Sequence, residues 1–520
     1  MKKIKKQKFP GRIFILGCGS IGRTCVPIIF QKMDITPERV TVMDMNPGVK
    51  SSIAKYIPRG LKFIHTQLTR DNYTKLLNEH MTPGDIFLDC AWNVDTIEML
   101  AYCRDHNILY LNTSFEQWDP FDPATHKHPG DYTLYARHKQ LREYKRAAPH
   151  KSTAIIDHGA NPGFVSHLVK VALIDIAKSR GHKLRPTPVT NHDFAKLAKR
   201  IGLRTIHISE TDTQCPERAG RTRSCGQPPN GSGSIDINRR IMKKSNTPGV
   251  VSMYDQLREH VNSGVFVNTW SVTGFHEEGV SPAELGWGTH ETRLPPGAKY
   301  PEPGANQIFL ASRGIDSFMN TWVHSGAITG MIIRHGEAFS ISDRLSLNKK
   351  RVTPGGDVRR KCIYRPTVHY VYLPCELAML SLDKMRANKY REPSREHILY
   401  SEIHSGRDEL GVTLIGKFGV WWTGSLLDIS RARELVPDSE INATSVQVAS
   451  SLIAAMIYAI RHPNSGILLP DDLPYKQILA HCREYLKPMI SRSLNADIDP
   501  PVLKLVKRDS RFQTLRSYNI

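Results

Sequence analysis

The chain has 520 residues, 40% of them hydrophobic, a composition that suits two domains with large cores and excludes a disordered or fibrous chain. Its 71 Lys+Arg against 50 Asp+Glu give a formal net charge of +21, a balance that can draw nucleic acid or anionic surfaces. The basic residues are spread along the chain, densest at the N-terminus, over 215–244 and over 349–361, without a nucleic-acid motif or interleaved aromatics, so they read as a basic surface and no nucleic-acid partner is expected.

In chain order, the basic MKKIKKQKFP is followed by no apolar segment of signal-peptide type. A short apolar run then enters Gly17-Cys18-Gly19-Ser20-Ile21-Gly22, spaced G-x-G-x-x-G, and a second run, RVTVMD, ends at Asp44, 22 residues after Gly22. Strand, glycine turn, helix and acid-ended strand form a dinucleotide fingerprint. Gly17 permits the tight turn, Gly19 lets a pyrophosphate approach the backbone, and Gly22 lets the helix pack close to the strand. The helix N-terminus at Ser20 and Ile21 offers free N–H groups to phosphates. Asp44 would accept from the ribose hydroxyls and repel a 2′-phosphate, which favours NAD over NADP.

Strands predicted over 12–16, 39–44, 62–66, 86–91, 108–112 and 153–157 alternate with helical patterns such as 21–32 and 94–106. This is the pattern of an α/β, doubly wound parallel Rossmann sheet. Ligands bind such sheets beyond the strand ends, which adds Asn93, Thr113 and Asn161 to the expected cofactor contacts. After about 165 the alternation loosens into a second, α+β domain. The expected division is 1–160 as an NAD-binding domain, completed by 435–475, and 161–434 as a substrate and dimerisation domain. Residues 214–248, rich in Gly, Pro, Ser and Arg, read as a flexible basic insertion, and 348–361 as a shorter one. The apolar run 446–460 is short for a bilayer span and reads as a buried helix, so no membrane partner is expected. Nine cysteines without C-x-x-C or zinc-type spacing suit a reducing cytoplasm and predict no metal site.

Polar and aromatic residues gather at 110–118, 157–167, 207–214 and 266–291. The last segment holds Trp270, Trp287, Glu277, Glu278, Glu284 and Glu291 within 26 residues. Carboxylates beside indole faces suit an organic cation, since a desolvated cation–π contact is worth up to about 2 kcal/mol. Taken alone, Trp270 is equally a core aromatic, Glu278 a surface carboxylate and His335 a satisfied polar group.

These segments resemble bacterial-type homospermidine synthases, a branch of the saccharopine dehydrogenase-like Rossmann enzymes. The resemblance rests on GCGSIGR, HGANPGFVSH, SETDTQ, FVNTWSV with EEG, SPAELGWGTHE, RHGEAFSISD, YRPTVHYVYLPC and ATSVQVASSLIAAMIYAI, in order over nearly the whole chain. It implies conversion of two putrescines to homospermidine and ammonia, with tightly bound NAD recycled internally. It further implies a cytoplasmic homodimer formed through the second domain, with spermidine as a further candidate substrate. Glu210 and Glu278 then become candidates for ammonium binding and proton relay, Glu116 for holding another amine, Trp270 for the cation–π face, Asn161 for the carboxamide or amine, and His335 for proton traffic. Two other readings remain open from sequence. One is an NAD(P)-dependent reductase of the saccharopine or carboxynorspermidine type, which would need guanidinium groups for a substrate carboxylate. The other is a nucleotide-sensing or nucleic-acid-binding protein on a Rossmann shell.

Overall fold

Ile13–Leu16 (β1) reads IFIL and is buried at every position, as a strand covered on both faces must be. The computed structural model, which describes residues 6–120, 129–149, 151–216, 252–352, 358–437, 440–494 and 505–506, sets it in the middle of a seven-stranded sheet. Val40–Asp44 (β2) and then Lys62–His65 (β3) lie on one side. Ile86–Asp89 (β4), Leu109–Asn112 (β5) and Ala154–Ile155 (β6) lie on the other. Every pairing is parallel, and the seventh strand, Ile467–Leu468, returns from far along the chain to pair with β6. The strand order reverses at β1, which opens the ligand crevice at its carboxyl end. Helix α1 (Ser20–Lys32) starts there.

Beyond this layer, α2 (Leu134–Ala147) begins on a Thr133 cap, and the apolar α3 (Phe164–Ser179) packs on a second sheet. Leu203–Asp212 (β7) is the spine of that sheet, buried at nine of its ten positions. Pro282–Gly286 (β8) and Gln307–Arg313 (β9) pair as a side branch, and Phe318–Val323 (β10) pairs with Gly326–Met331 (β11). Thr367–Leu373 (β12) runs parallel to β7 on one side, and Arg407–Gly416 (β13) runs antiparallel on the other. Gly419–Asp428 (β14) and Met489–Leu494 (β15) extend the sheet outward. Two short helices follow, α4 (Val272–Val280) and α5 (Gly336–Arg344), the latter packed on β8 and β12.

Four features depart from the sequence reading. Helix α6 (Ala443–Arg461) has 19 residues and is long and apolar enough to cross a membrane by length and composition, which the shorter run 446–460 did not suggest. It is a core helix all the same: 83% of its apolar window is buried, and it packs on α1. Gln214 and Cys215, placed at the start of the flexible insertion, are buried, because Gln214 ties Asp212 to the start of α6; residues 217–251 lie outside the described residues. The segment 348–361 is largely a β-hairpin, Leu347–Val352 paired with Val358–Tyr364. Among the described residues seven cysteines are free thiols and Cys215 is disulfide-bonded, where the sequence reading assigned no pairing.

Candidate functional site

The glycine turn is built by steric necessity. Gly17 has φ +85°, and a Cβ there would lie 2.8 Å from the Cys90 carbonyl; a Cβ on Gly22 would lie 1.9 Å from the Gly17 carbonyl. A Cβ on exposed Gly19 would meet nothing within 4 Å, so the space above it is an open cradle at the start of α1. The Asp44 carboxylate is fixed on this turn, accepting from Cys18 N at 2.6 Å and from Asn46 N at 2.7 Å. Buried Ser20 and half-buried Ile21 form the first turn of α1. The free cradle, the helix start and the acid at the end of β2 fit a dinucleotide. Thr113 stands beside Gly159 at the same edge. Asn93, in a left-handed conformation at φ 61°, spends its side chain on Asp119, accepting from its backbone N–H at 2.5 Å.

A first carboxylate cluster grows from the end of β7. Glu210 and Asp212 are two apart and share a face, and Asp408 on β13 is the cross-strand partner of Asp212. All three are buried. Glu210 accepts from Tyr370 OH at 2.6 Å and from Asn161 Nδ2 at 2.8 Å. Asp212 accepts from Thr269 Oγ1 at 2.6 Å and from the Gln214 backbone N–H at 2.8 Å, and Asp408 accepts from Thr444 Oγ1 at 2.6 Å. Burial pushes Glu210 up to about 7 against the pull of its two hydrogen bonds, and Asp212 up to about 6. Asp408 is raised well above the usual carboxylate range by burial and by the facing Glu210 and Asp212. Among the described residues, no lysine or arginine is a leading influence on any of the three.

A second cluster stands on α4, whose start is capped by Ser271. Glu277 receives Arg137 Nη2 at 2.6 Å, Arg334 Nη2 at 2.9 Å and the Trp92 indole N–H at 2.8 Å. Trp92 follows β4, so this contact ties α4 to the carboxyl edge of the first sheet beside the glycine turn. Glu278 receives Arg334 Nε at 2.7 Å. Glu116, after β5, faces Glu277, Glu278 and Arg137, and burial raises its pKa. Burial would raise Glu277 too, but Arg137 and Arg334 outweigh it and hold that carboxyl low. His335 joins the clusters: burial would keep it neutral, but Glu337, Glu278 and Glu210 together raise its pKa. Its ring lies 4.4 Å from that of Tyr370.

Half-buried Trp270 follows Thr269, the residue that holds Asp212. Its indole meets Phe275 edge-on at 5.4 Å; Phe275 meets Tyr372 at 6.1 Å, and Tyr372 stacks on Tyr370 at 5.6 Å. Indole, phenyl and two phenols thus line the way from Trp270 to Glu210.

The two sheets match two family models, the saccharopine dehydrogenase NADP binding domain over residues 13–156 and the saccharopine dehydrogenase C-terminal domain over 159–494. A homospermidine synthase of Blastochloris viridis is 33% identical over 93% of this chain and 91% of its own length. The chain belongs to the homospermidine synthase family. A second such synthase, from Mesorhizobium japonicum, is also 33% identical, over 92% of this chain and 89% of its own. The crystal structure of the Legionella pneumophila homospermidine synthase in complex with NAD superimposes with a TM-score of 0.76 at 30% identity, covering 96% of this chain and 95% of that one.

Of the residues singled out from sequence, Glu210 and Asn161 touch, and Glu116, Glu278 and His335 face a shared region. The segment 266–291 is not one cage. Glu284 turns away to accept from Leu134 N at the start of α2, Glu291 pairs with His290, and Trp287 is core. Sequence reasoning missed Asp408, Asp212, Tyr370 and Arg334. An acid pair, Asp408-Glu409, just before the apolar run LGVTLIG was the available signal for Asp408; for Asp212 it was the two-residue spacing from Glu210.

Proposed function

We propose that this protein is a homospermidine synthase, condensing two putrescine molecules to homospermidine with release of ammonia. The observation that carries the reading is the buried trio Glu210, Asp212 and Asp408, three acids on which no lysine or arginine is a leading influence among the described residues. Buried carboxylates are stable as anions only when a cation answers them. In a chain of net charge +21, that cation is best supplied by a dicationic substrate. The competing reductase needs guanidinium groups for a substrate carboxylate, yet both Arg137 and Arg334 are spent on glutamates.

NAD is the cofactor in this proposal, held by Gly17, Gly19, Ser20, Ile21, Gly22 and Asp44 with Thr113, Asn161 and Asn93 nearby; when bound it supplies reversible hydride acceptance, which leaves the overall conversion without net redox change. Asp44 argues for the unphosphorylated ribose, in spite of the NADP in the family description. An amine must lose a proton before it can give up hydride or attack an imine. Glu210 is poised for this, since a carboxyl titrating near 7 can take that proton and return it to the departing ammonia. Asn161 orients Glu210, and Asp212 and Asp408 hold an ammonium beyond it. Glu278 and Glu116 hold a second amine. The Trp270 face stabilises positive charge as an iminium develops, an interaction that strengthens along the reaction. His335 passes protons between the two acid groups it faces.

The division into 1–160 with 435–475 and 161–434 belongs to this proposal, supported by the pairing of Ile467–Leu468 with β6. So do a homodimer through the second domain and spermidine as a further substrate. The test is incubation with putrescine and sub-stoichiometric NAD+. Homospermidine in excess of the nicotinamide, without net NADH, is the expected result, and stoichiometric NADH would overturn the reading.

A further inference from the structure

Arg334 precedes His335, the residue that caps α5, and its side chain is 2% exposed. Every arm of its fork is engaged by the chain itself. Nε donates to Glu278 Oε2 at 2.7 Å, Nη2 donates to Glu277 Oε1 at 2.9 Å, and Nη1 donates to the Tyr132 carbonyl and lies 3.8 Å from Glu284. The three glutamates differ in what remains open to them. Glu277 is closed in by Arg137 and Trp92, and Glu284 by two backbone N–H groups and Gln307. Glu278 receives only Arg334 Nε among the described hydrogen bonds, and at 16% exposure its side chain is the most open of the three.

We propose that Arg334 is a positioning residue that fixes Glu278 with one carboxylate edge held by its guanidinium and the other presented to a substrate ammonium. This rests on the diamine reading above. The groups facing Glu278 are Arg334, Arg137, Glu277 and His335, with Glu116 and Glu284 behind them. Burial raises the Glu278 pKa and Arg334 is the largest opposing influence. The guanidinium therefore also favours the ionised carboxyl that an ammonium needs, working against burial. A lysine supplies the charge but not the planar fork that spans Glu277 and Glu278 together.

The experiment is calorimetric titration of putrescine into the NADH-loaded protein, which cannot take a hydride from it, at pH 6 and pH 8, for wild type, Arg334→Lys and Arg334→Gln, with NAD+ affinity measured in parallel. Arg334→Gln should weaken putrescine about threefold or more at pH 8 and at least tenfold at pH 6, because the fork is lost at both and the charge that opposes burial of Glu278 is lost with it, which costs most at the lower pH. Arg334→Lys should weaken it about threefold or more at both pH values, having kept the charge and lost the fork. NAD+ affinity should stay within twofold in both. An equal loss at both pH values in Arg334→Gln, or a parallel loss of NAD+, marks a merely structural residue and overturns the proposal. Should Arg334→Gln fail to fold, unchanged putrescine affinity in Arg334→Lys overturns it alone. Wild-type protein that binds putrescine without condensing it refutes the proposed activity and leaves Arg334 to be judged by these titrations; wild-type protein that binds none refutes both.

Discussion

The two acid clusters contain the same chemistry and opposite electrostatics. Around α4, four glutamates (Glu116, Glu277, Glu278 and Glu284) face two guanidinium groups, Arg137 and Arg334. At the end of β7, Glu210, Asp212 and Asp408 face one another, hydrogen-bond donors and one histidine, with no lysine or arginine among the leading influences on them within the described residues. A buried ion pair satisfied within the chain holds structure in place, whereas a buried acid group left unanswered is a cost that folding retains only if something else meets it. In the proposed function the α4 cluster serves orientation, with Glu278 as its working edge, and the β7 cluster meets the substrate cation and its protons.

The largest effect should come from removing the proton acceptor of the unanswered cluster. Glu210→Gln should lower kcat by a factor of about 100 or more, the usual scale for a general acid–base, with the circular dichroism spectrum unchanged. Retained turnover would erase the distinction between the clusters. Trp270→Phe should lower kcat about tenfold, the scale of a desolvated cation–π contact, with NAD+ affinity intact; a change confined to NAD+ affinity would move Trp270 out of the substrate cage. Asp44→Ala should weaken NAD+ about tenfold or more and relax discrimination against NADP+, because it removes a charged hydrogen-bond acceptor; an unaltered NAD+ titration would contradict the ribose assignment.

The smallest effect is on stability and sharpens the comparison most. An acid whose folded pKa is raised keeps its proton in the native state after the unfolded chain has lost it. Stability contributed by that group therefore falls as pH rises from about 4 through the folded values of about 6 for Asp212 and about 7 for Glu210. Asp408, raised by the same burial, follows the same sign. Asp408→Asn should therefore raise Tm by about 2 °C or more at pH 8 without diamine, and by less at pH 5. It should also raise KM for putrescine. A lowered Tm at pH 8 would mean that the cluster is already satisfied.

Much of the first sheet was legible because its physics is local. The glycine spacing, the acid at the end of β2 and the apolar runs each report on their own neighbourhood, and the predicted strand bounds fall within two residues of the observed ones. The site was legible only in part, because its geometry is set by cross-strand register. Asp408 meets Asp212 across 196 positions of chain, and nothing in either segment announces the other. Glu284 and Glu291 share a segment with Glu278 but sit on β8 and beyond it, where the alternation of strands and the buried start of α2 send them elsewhere. The resemblance carried Trp270 and Glu278 into view, but the arginine that holds Glu278 emerged only from the packing.

The claim on which the rest stands is that buried, partly protonated acids are waiting for a diamine. Calorimetry of putrescine binding to the NADH-loaded protein, which cannot oxidise it, at pH 6.5, repeated in buffers of different ionisation enthalpy, counts the protons exchanged. The account predicts that protons are released, as Glu210 and its neighbours ionise to meet the ammonium groups, and that the release shrinks in Glu210→Gln. Binding with no proton exchange, or with the same exchange in both proteins, would contradict it.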